Sequence, residues 1–405
     1  MSVNLELLAP AGNMECLKTA FYFGADAVYL SGKAYGLRAF ADNFSIEDLY
    51  NAAEYAKSLN KNVYLTSNSV FHNEDFNGFE DYLKEVKSAG VDAVIISDPG
   101  VVMMTKEILP DMPIHLSTQA NTTNHMSVKF WEKIGVDRVI LAREVSLDDI
   151  KGIKEAVPSM ELEAFVHGAM CISYSGRCLF SNFTTGRSGN KGACAQPCRW
   201  KYYIQEKEDG EIFPVYADEK GTYLFNSKDL MMIGHMDKLI DAGITSFKIE
   251  GRMKSAYYVA SVVKPYRQEL DKYTSNPKEY IFDNDVLKEM QKAGTREYTT
   301  GFFLGNPLGE GQDTERGNEI KSSVFVGKVL EGLDGKIKIE QRNKFVLGET
   351  IEVLSPNMDS VSFEVTKIVN EKGEEQEEAP HPQQVLYLDC PYELNANDIL
   401  RRNRE

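Results

Sequence analysis

The sequence predicts an α/β protein: a (β/α)8 TIM-like barrel with a cysteine-rich insertion, followed by a small C-terminal antiparallel β-barrel domain. Three observations predict it. Short β-rich apolar runs alternate with amphipathic helical patterns eight times over the first 275 residues. Gly-X-Asp recurs where helix gives way to strand, as Gly24-Ala25-Asp26, Gly90-Val91-Asp92 and Gly135-Val136-Asp137. From Ser322 onward the texture becomes alternating strand, with turns about every 10 residues.

The eight apolar runs are Leu5–Ala9, Ala27–Leu30, Val63–Thr66, Ala93–Ser97, Ile114–Ser117, Val139–Ala142, Leu162–Val166 and Phe247–Glu250. Helical patterns fall at residues 13–23, 45–59, 79–89, 101–109, 125–135, 146–156, 229–242 and 254–274. Glycine after a helix supplies the left-handed residue that ends it. Gly243-Ile244-Thr245 is a relative of the Gly-X-Asp turns. Ser45 and Ser146 read as N-caps, followed three residues later by Asp48 and Asp149. An open doubly wound sheet is the alternative, but no GxGxxG follows the first run.

One gap is wide. Residues 168–245 form an insertion between the seventh and eighth runs. It contains an expected hairpin, Trp200–Gln205 and Ile212–Tyr216, turning at Glu208-Asp209-Gly210. The organisation expected is therefore a barrel over 1–275, a connector over 276–320 and a small β-barrel over 321–405. The last rests on Val324-Val326, Lys336–Ile339, Thr350–Val353, Phe363-Val365 and Val385–Leu388. Small barrels of this kind accompany many RNA-handling enzymes, which is analogy at the level of fold.

The chain has 405 residues, 42% hydrophobic and 26% charged, an ordinary globular composition. No run approaches the ~20 apolar residues of a membrane span. The opening MSVNLELLAPAG lacks the basic and apolar regions of a signal peptide. A cytoplasmic location is expected, where clustered cysteines bind metal or do redox chemistry rather than form structural disulfides. The net charge of −16 excludes a generally basic nucleic-acid binder. It leaves open RNA held in a local basic groove. The acidic stretch Glu371–Glu378 reads as a solvated loop.

Four of the six cysteines, Cys171, Cys178, Cys194 and Cys198, fall in one stretch with spacing C-x6-C-x15-C-x3-C. Thiolates bind zinc and iron–sulfur clusters alike. Structural zinc favours CxxC knuckles, which are absent, whereas long uneven loops suit a cubane cluster with one thiolate per iron. An iron–sulfur cluster is expected, with zinc and free or catalytic thiols as alternatives. Cys16 and Cys390 read as core.

His167 lies at the C-terminal end of a barrel strand, where barrel enzymes place catalytic groups. Alternation puts Glu163, Phe165 and His167 on one face. A Glu163/His167 pair could serve as general base or hold a polar substrate; the alternative is an inward-facing structural pair. A Cys171–His167 dyad is a further arrangement. No HExxH or GxSxG motif is present. Other strand ends are polar: Ser117-Thr118-Gln119, Arg143-Glu144, Asn226–Asp229 and Lys248-Ile249-Glu250-Gly251-Arg252. Basic groups at a barrel mouth suit a carboxylate or phosphate, the alternative being an internal Lys–Glu–Arg ion network. The ends at Asn62–Asn68 and Ser31-Gly32 are weaker candidates.

The stretch Glu163-Ala164-Phe165-Val166-His167-Gly168-Ala169-Met170-Cys171-Ile172-Ser173-Tyr174-Ser175-Gly176-Arg177-Cys178 resembles the signature of the collagenase-like peptidases, the peptidase family of unknown catalytic type (family U, number 32). Leu7-Leu8-Ala9-Pro10-Ala11-Gly12, Gly24–Tyr29 and Phe247–Arg252 resemble other motifs of that family. The resemblance covers roughly residues 5–275 strongly, and the trailing β-rich part resembles the C-terminal domain of longer members. It implies one of two activities. One is oxygen-independent, prephenate-dependent hydroxylation of the tRNA wobble uridine to 5-hydroxyuridine, the branch this chain looks most like. The other is a collagenase-like hydrolase, with zinc as the alternative metal. By the same resemblance Cys171, Cys178, Cys194 and Cys198 would ligate a [4Fe–4S] cluster. Gln119, Arg143, Lys248, Glu250 and Arg252 are candidates for substrate binding. For a dicarboxylate such as prephenate, Arg143, Lys248 and Arg252 are picked out by charge. The partners implied are tRNA and a paralogous subunit or a second copy of the chain.

Overall fold

In the computed structural model, the apolar runs close into a ring of parallel strands. The residues described are 5–36, 42–171, 173–200, 217–218, 221–222, 227–292, 294, 296–307, 311 and 322–404. Seven barrel strands come first: β1 (Glu6–Pro10), β2 (Ala27–Ser31), β3 (Asn62–Ser67), β4 (Ala93–Ile96), β5 (Ile114–Leu116), β6 (Arg138–Ile140) and β7 (Glu161–Ala169). The insertion adds β8 (Ala217–Asp218), β9 (Gly221–Thr222) and β10 (Asp229–Met231). The eighth barrel strand, β11 (Ser246–Ile249), pairs in parallel with both β7 and β1 and closes the ring. Parallel strands covered on both faces have no solvent side, so they read as unbroken apolar runs rather than as alternation. The expected hairpin over 200–216 falls almost wholly outside the described residues.

Helices α1 (Met14–Tyr22), α2 (Ile46–Ser58), α3 (Phe79–Ser88), α4 (Pro99–Ile108), α5 (His125–Ile134) and α6 (Leu147–Ala156) follow the first six strands. Ser45 and Ser146 cap α2 and α6 in reciprocal boxes with Asp48 and Asp149. The Gly-X-Asp turns have a structural cause. Gly24, Gly90 and Gly135 take positive φ. Each aspartate then accepts the main-chain N–H at the start of the preceding strand: Leu7 N to Asp26 at 2.9 Å, Val63 N to Asp92 at 2.8 Å and Ile114 N to Asp137 at 2.8 Å. The carboxylate thus satisfies a strand-end donor at the N-terminal face of the barrel.

The insertion departs from the expected pattern. Residues 229–242 carry a helical signal, but Asp229–Met231 is the strand β10, antiparallel to the extension of β7, with Leu230 opposite Gly168. Only α8 (Met236–Ala242) is α-helical there, after α7 (Phe180–Thr185) near the cysteines. Tertiary pairing overrides local propensity, because β7 runs past the barrel and its edge takes a partner. Then α9 (Ala256–Ser275) packs along the barrel, and α10 (Asp285–Gln291) and β12 (Tyr298–Thr299) follow, β12 pairing with β10.

The C-terminal part is antiparallel, as expected. A seven-stranded sheet runs in the order β17 (Val361–Glu364), β16 (Thr350–Leu354), β21 (Ile399–Asn403), β13 (Ser323–Leu333), β14 (Lys336–Gln341), β20 (Val385–Asp389), β18 (Ile368–Asn370). The short pair β15 (Phe345–Val346) and β19 (Glu378–Ala379) lies beside it. Among the described residues β17 and β18 are not paired, so the sheet is a half-barrel. An ion pair and a hydrogen bond tie it to the (β/α)8 barrel side: Arg401 donates to Glu289 of α10 at 2.8 Å, and Lys264 Nζ of α9 donates to the Met358 carbonyl at 2.9 Å. Within the sheet, Arg401 also donates to Glu352 at 3.0 Å.

Candidate active site at the barrel mouth

A cavity of about 280 Å³ opens at the C-terminal ends of the strands. The barrel dictates this address, since the strand ends and following loops converge there. All five sequence-predicted binding residues, Gln119, Arg143, Lys248, Glu250 and Arg252, line it, and so do all four clustered cysteines.

The cations are held in place. Arg143 donates to the Ala169 carbonyl at 2.6 Å and to Glu250 at 3.2 Å, and its guanidinium lies 4.0 Å from the Phe165 ring centre. Lys248 is almost fully buried. Its Nζ donates to Glu163 at 2.7 Å and sits 4.4 Å over the Tyr29 ring. Burial pulls the Lys248 ammonium below the ordinary lysine range, and Glu163 pulls the other way. Arg252, also buried, donates to Thr66 Oγ1 at 3.3 Å. Three lining side chains carry buried atoms with no protein hydrogen-bond partner: Asn68 Oδ1, Gln119 Oε1 and Arg143 Nε. A buried polar atom left so costs roughly 1–3 kcal/mol, which marks this wall as prepared for a polar ligand.

The four clustered thiols line the same cavity. None of the six cysteines is in a disulfide. Cys16 and Cys390 are core residues, as expected. Burial pushes the Cys171 thiol up, and the neighbouring Cys178 and Cys194 thiols add to the rise. Main-chain N–H groups of Phe180 and Gln196 donate to Cys178 Sγ and Cys194 Sγ, each at 3.3 Å. The loop is pinned from beneath. Ser175 sits at φ 43°, with its N–H and Oγ both donating to Glu144 at 2.6 Å, and Arg177 Nε donates to the Gln119 carbonyl at 2.9 Å. Among the described residues, no three His, Cys, Asp or Glu side chains converge as ligands of a single ion. Four thiols line one cavity, two of them accepting main-chain N–H groups, a soft donor set of the kind that binds zinc or an iron–sulfur cluster.

Glu163 and His167 lie elsewhere. Glu163 is fully buried below the cavity and accepts from Lys248, Arg138 at 3.2 Å and Ser246 at 3.3 Å. It occupies the inward-facing structural position rather than the cavity lining. His167 does not share its face. The β7–β11 register slips so that Phe165 opposes Lys248 and His167 opposes Ile249, leaving Val166 as the extra residue of a bulge. A bulge reverses the alternation beyond it. His167 therefore packs among Tyr258, Tyr266 and Tyr298, at 5.5–6.2 Å between ring centres. Burial pushes its pKa down to about 3. It is absent from the lining, so no Cys171–His167 dyad faces the cavity.

Sequence reading missed the ion layer beneath. Arg138 donates to Glu6 at 2.6 Å, to Glu161 at 2.9 Å and to Glu163, while Ser246 and Tyr64 donate to Glu6. His115 packs against Tyr64 in the same layer. Charged residues at the first positions of β1, β6 and β7 were the available signal, since such strands are otherwise apolar.

Fold and cavity together define a (β/α)8-barrel protein with a thiol-walled, cation-bearing site at the catalytic face. The chain belongs to peptidase family U32, whose model matches residues 12–313, with the model of that family's C-terminal domain matching residues 321–401. It is 39% identical over 401 residues to "tRNA hydroxylation protein P1" of Bacillus subtilis (strain 168), covering 98% of this chain and 95% of that protein. It is 37% identical over 441 residues to "tRNA hydroxylation protein P" of Escherichia coli (strain K12), covering 98% and 96%. It is also 31% identical over 387 residues to a "Collagenase" of Porphyromonas gingivalis (strain ATCC BAA-308 / W83), covering 91% of each.

Proposed function

We propose that this chain is an RNA-modification enzyme, catalysing oxygen-independent, prephenate-dependent hydroxylation of the tRNA wobble uridine to 5-hydroxyuridine. One observation carries the reading: a single cavity is lined by all four clustered cysteines and by Arg143, Lys248 and Arg252. The tRNA hydroxylation proteins that it resembles over nearly its whole length support the substrate class.

In this reading Cys171, Cys178, Cys194 and Cys198 hold a [4Fe–4S] cluster, which when bound supplies redox or Lewis-acid chemistry. Arg143, Lys248 and Arg252 bind the two carboxylates of the hydroxyl donor. The unpartnered amide oxygens of Asn68 and Gln119 accept from N–H edges of the base. Lys248, its proton loosened by burial, gives or takes a proton at Nζ. Glu163 acts through Lys248 by holding that ammonium. Glu250 fixes the Arg143 guanidinium.

A collagenase-like hydrolase gains no support from the cavity. Among the described residues no histidine lines it, and its carboxylate Glu250 is paired with Arg143. Nucleoside mass spectrometry of tRNA from a strain lacking the chain tests the reading. Loss of 5-hydroxyuridine derivatives, restored by the wild-type chain and not by Cys178→Ala, is expected. Unchanged derivatives, in a strain with no second copy, would sink it. Anaerobically purified wild-type protein should be brown with bound iron and sulfide, and Cys178→Ala pale; colourless wild-type protein refutes the cluster.

A further inference from the structure

From Ala164 to Gln205 the sequence contains no acidic residue, although an even spread of its 61 would place about six there. The same interval holds Arg177, Arg187, Lys191, Arg199 and Lys201. In a chain of net charge −16, this is a local reversal of sign. The structure sets its described part at the cavity rim, with Cys178, Arg187 and Cys198 among the lining. It also turns apolar side chains outward there. Phe183 is 88% exposed, Tyr174 53% and Trp200 46%. Scattered exposed apolar residues are ordinary; three aromatics on one loop beside a catalytic cavity are not. The loop is anchored, since Val70 N donates to the Asn190 carbonyl at 3.1 Å and Lys191 pairs with Asp75 at 2.9 Å.

We propose that the acid-free cysteine loop is the RNA-docking face, with the exposed rings of Phe183, Tyr174 and Trp200 available to stack unpaired bases that flank the base entering the cavity. The proposal rests on the RNA-modification reading above. Phosphates are repelled by most of this surface and approach where the potential reverses. A cavity of about 280 Å³ admits a base and excludes a duplex, so the target base must be unstacked. Aromatic faces interleaved with arginine and lysine are the chemistry that holds single strands, because every base offers a π face. One loop then does two jobs: its thiols face inward and its aromatics face the RNA.

The test uses full-length protein and anisotropy of a labelled RNA stem-loop, against a fully paired RNA duplex of the same composition. Wild type is expected to prefer the stem-loop. Phe183→Ala should weaken that binding about tenfold, and Phe183→Trp should restore it. Arg187→Gln should reduce the salt slope by about 0.7 for each phosphate it no longer neutralises. Lys336→Glu, on the C-terminal sheet, should change neither. Unaltered affinity in Phe183→Ala overturns the proposal, as does loss of affinity in Lys336→Glu alone. A wild-type oligomer that Phe183→Ala dissociates, with RNA affinity unchanged, also overturns it and makes the patch a self-interface. Wild-type protein that binds no stem-loop refutes docking and the RNA reading together. Binding as expected, with tRNA nucleosides unchanged in the deletion strain, leaves the docking face standing and removes the hydroxylation reading alone.

Discussion

Glu163→Gln is the most informative single change, because it removes one charge from a buried ion network. Glu6 and Glu163 face Arg138 and Lys248 in one layer inside the barrel, and the exposed Glu161 also pairs with Arg138. Glu163 is 0% exposed and Lys248 2%, so water does not screen what is left. Removing one partner of a buried pair costs roughly 3–5 kcal/mol. Glutamine keeps the shape and one acceptor for Ser246 and Arg138, so about 3 kcal/mol is expected, the lower end of that range. The pH dependence has a definite sign. Burial already holds Lys248 below its ordinary 10.5, and loss of Glu163 lowers it further. The unfolded chain then binds more protons than the fold, so stability rises with pH across that window. The deficit of Glu163→Gln should be largest at neutral pH and shrink as pH approaches the ordinary lysine value. Adding Lys248→Met, which removes the stranded charge at similar volume, should recover much of the loss. Urea unfolding at neutral and alkaline pH measures both. A pH-independent deficit, or a double variant in which the two losses add, would refute the reasoning.

Two further outcomes are expected. His167→Ala should lower stability at pH 7 by about 2–4 kcal/mol, while tRNA modification persists at permissive temperature. Between its ordinary 6.5 and about 3, the unfolded chain binds a proton that buried His167 refuses. Wild-type stability therefore falls as pH drops through that window, by up to about 1.4 kcal/mol per pH unit, and the variant should lack that part of the slope. Abolished modification in folded His167→Ala would return the residue to the chemistry. Gly168→Ala should disturb the mouth directly. Gly168 has φ 105°, and a Cβ there would stand 2.7 Å from the Glu250 carbonyl oxygen. Displaced Glu250 frees Arg143, so donor affinity should fall, at a stability cost of about 1–3 kcal/mol. Unchanged affinity and melting would show that Glu250 does not position Arg143.

The barrel was legible because burial on both faces forces each strand to be a short apolar run, and because each helix must end before the next strand begins. Gly24, Gly90 and Gly135 mark those ends, and their following aspartates cap strand starts, all within local sequence. The binding candidates were legible too. A polar residue just past an apolar run in this topology points to the mouth, whichever strand carries it, and Gln119, Arg143, Lys248, Glu250 and Arg252 all arrive there.

What alternation alone could not show was the bulge at Val166, because an extra residue leaves no mark in composition. It separates His167 from Glu163, sending one to the helix layer and leaving the other inside the barrel. The strand β10 was hidden for a similar reason, since its conformation is set by the free edge of β7 and not by its own residues. Ring closure likewise brings Glu6, Arg138, Glu163 and Lys248 into one ion layer from four strands far apart in sequence. The sequence by itself thus determined the eight barrel strands, the mouth and the binding candidates that reach it, because those follow from local patterning. Only the tertiary structure decided which charged side chains face the cavity and which support it from below, because that depends on register and on partners the local chain does not contain.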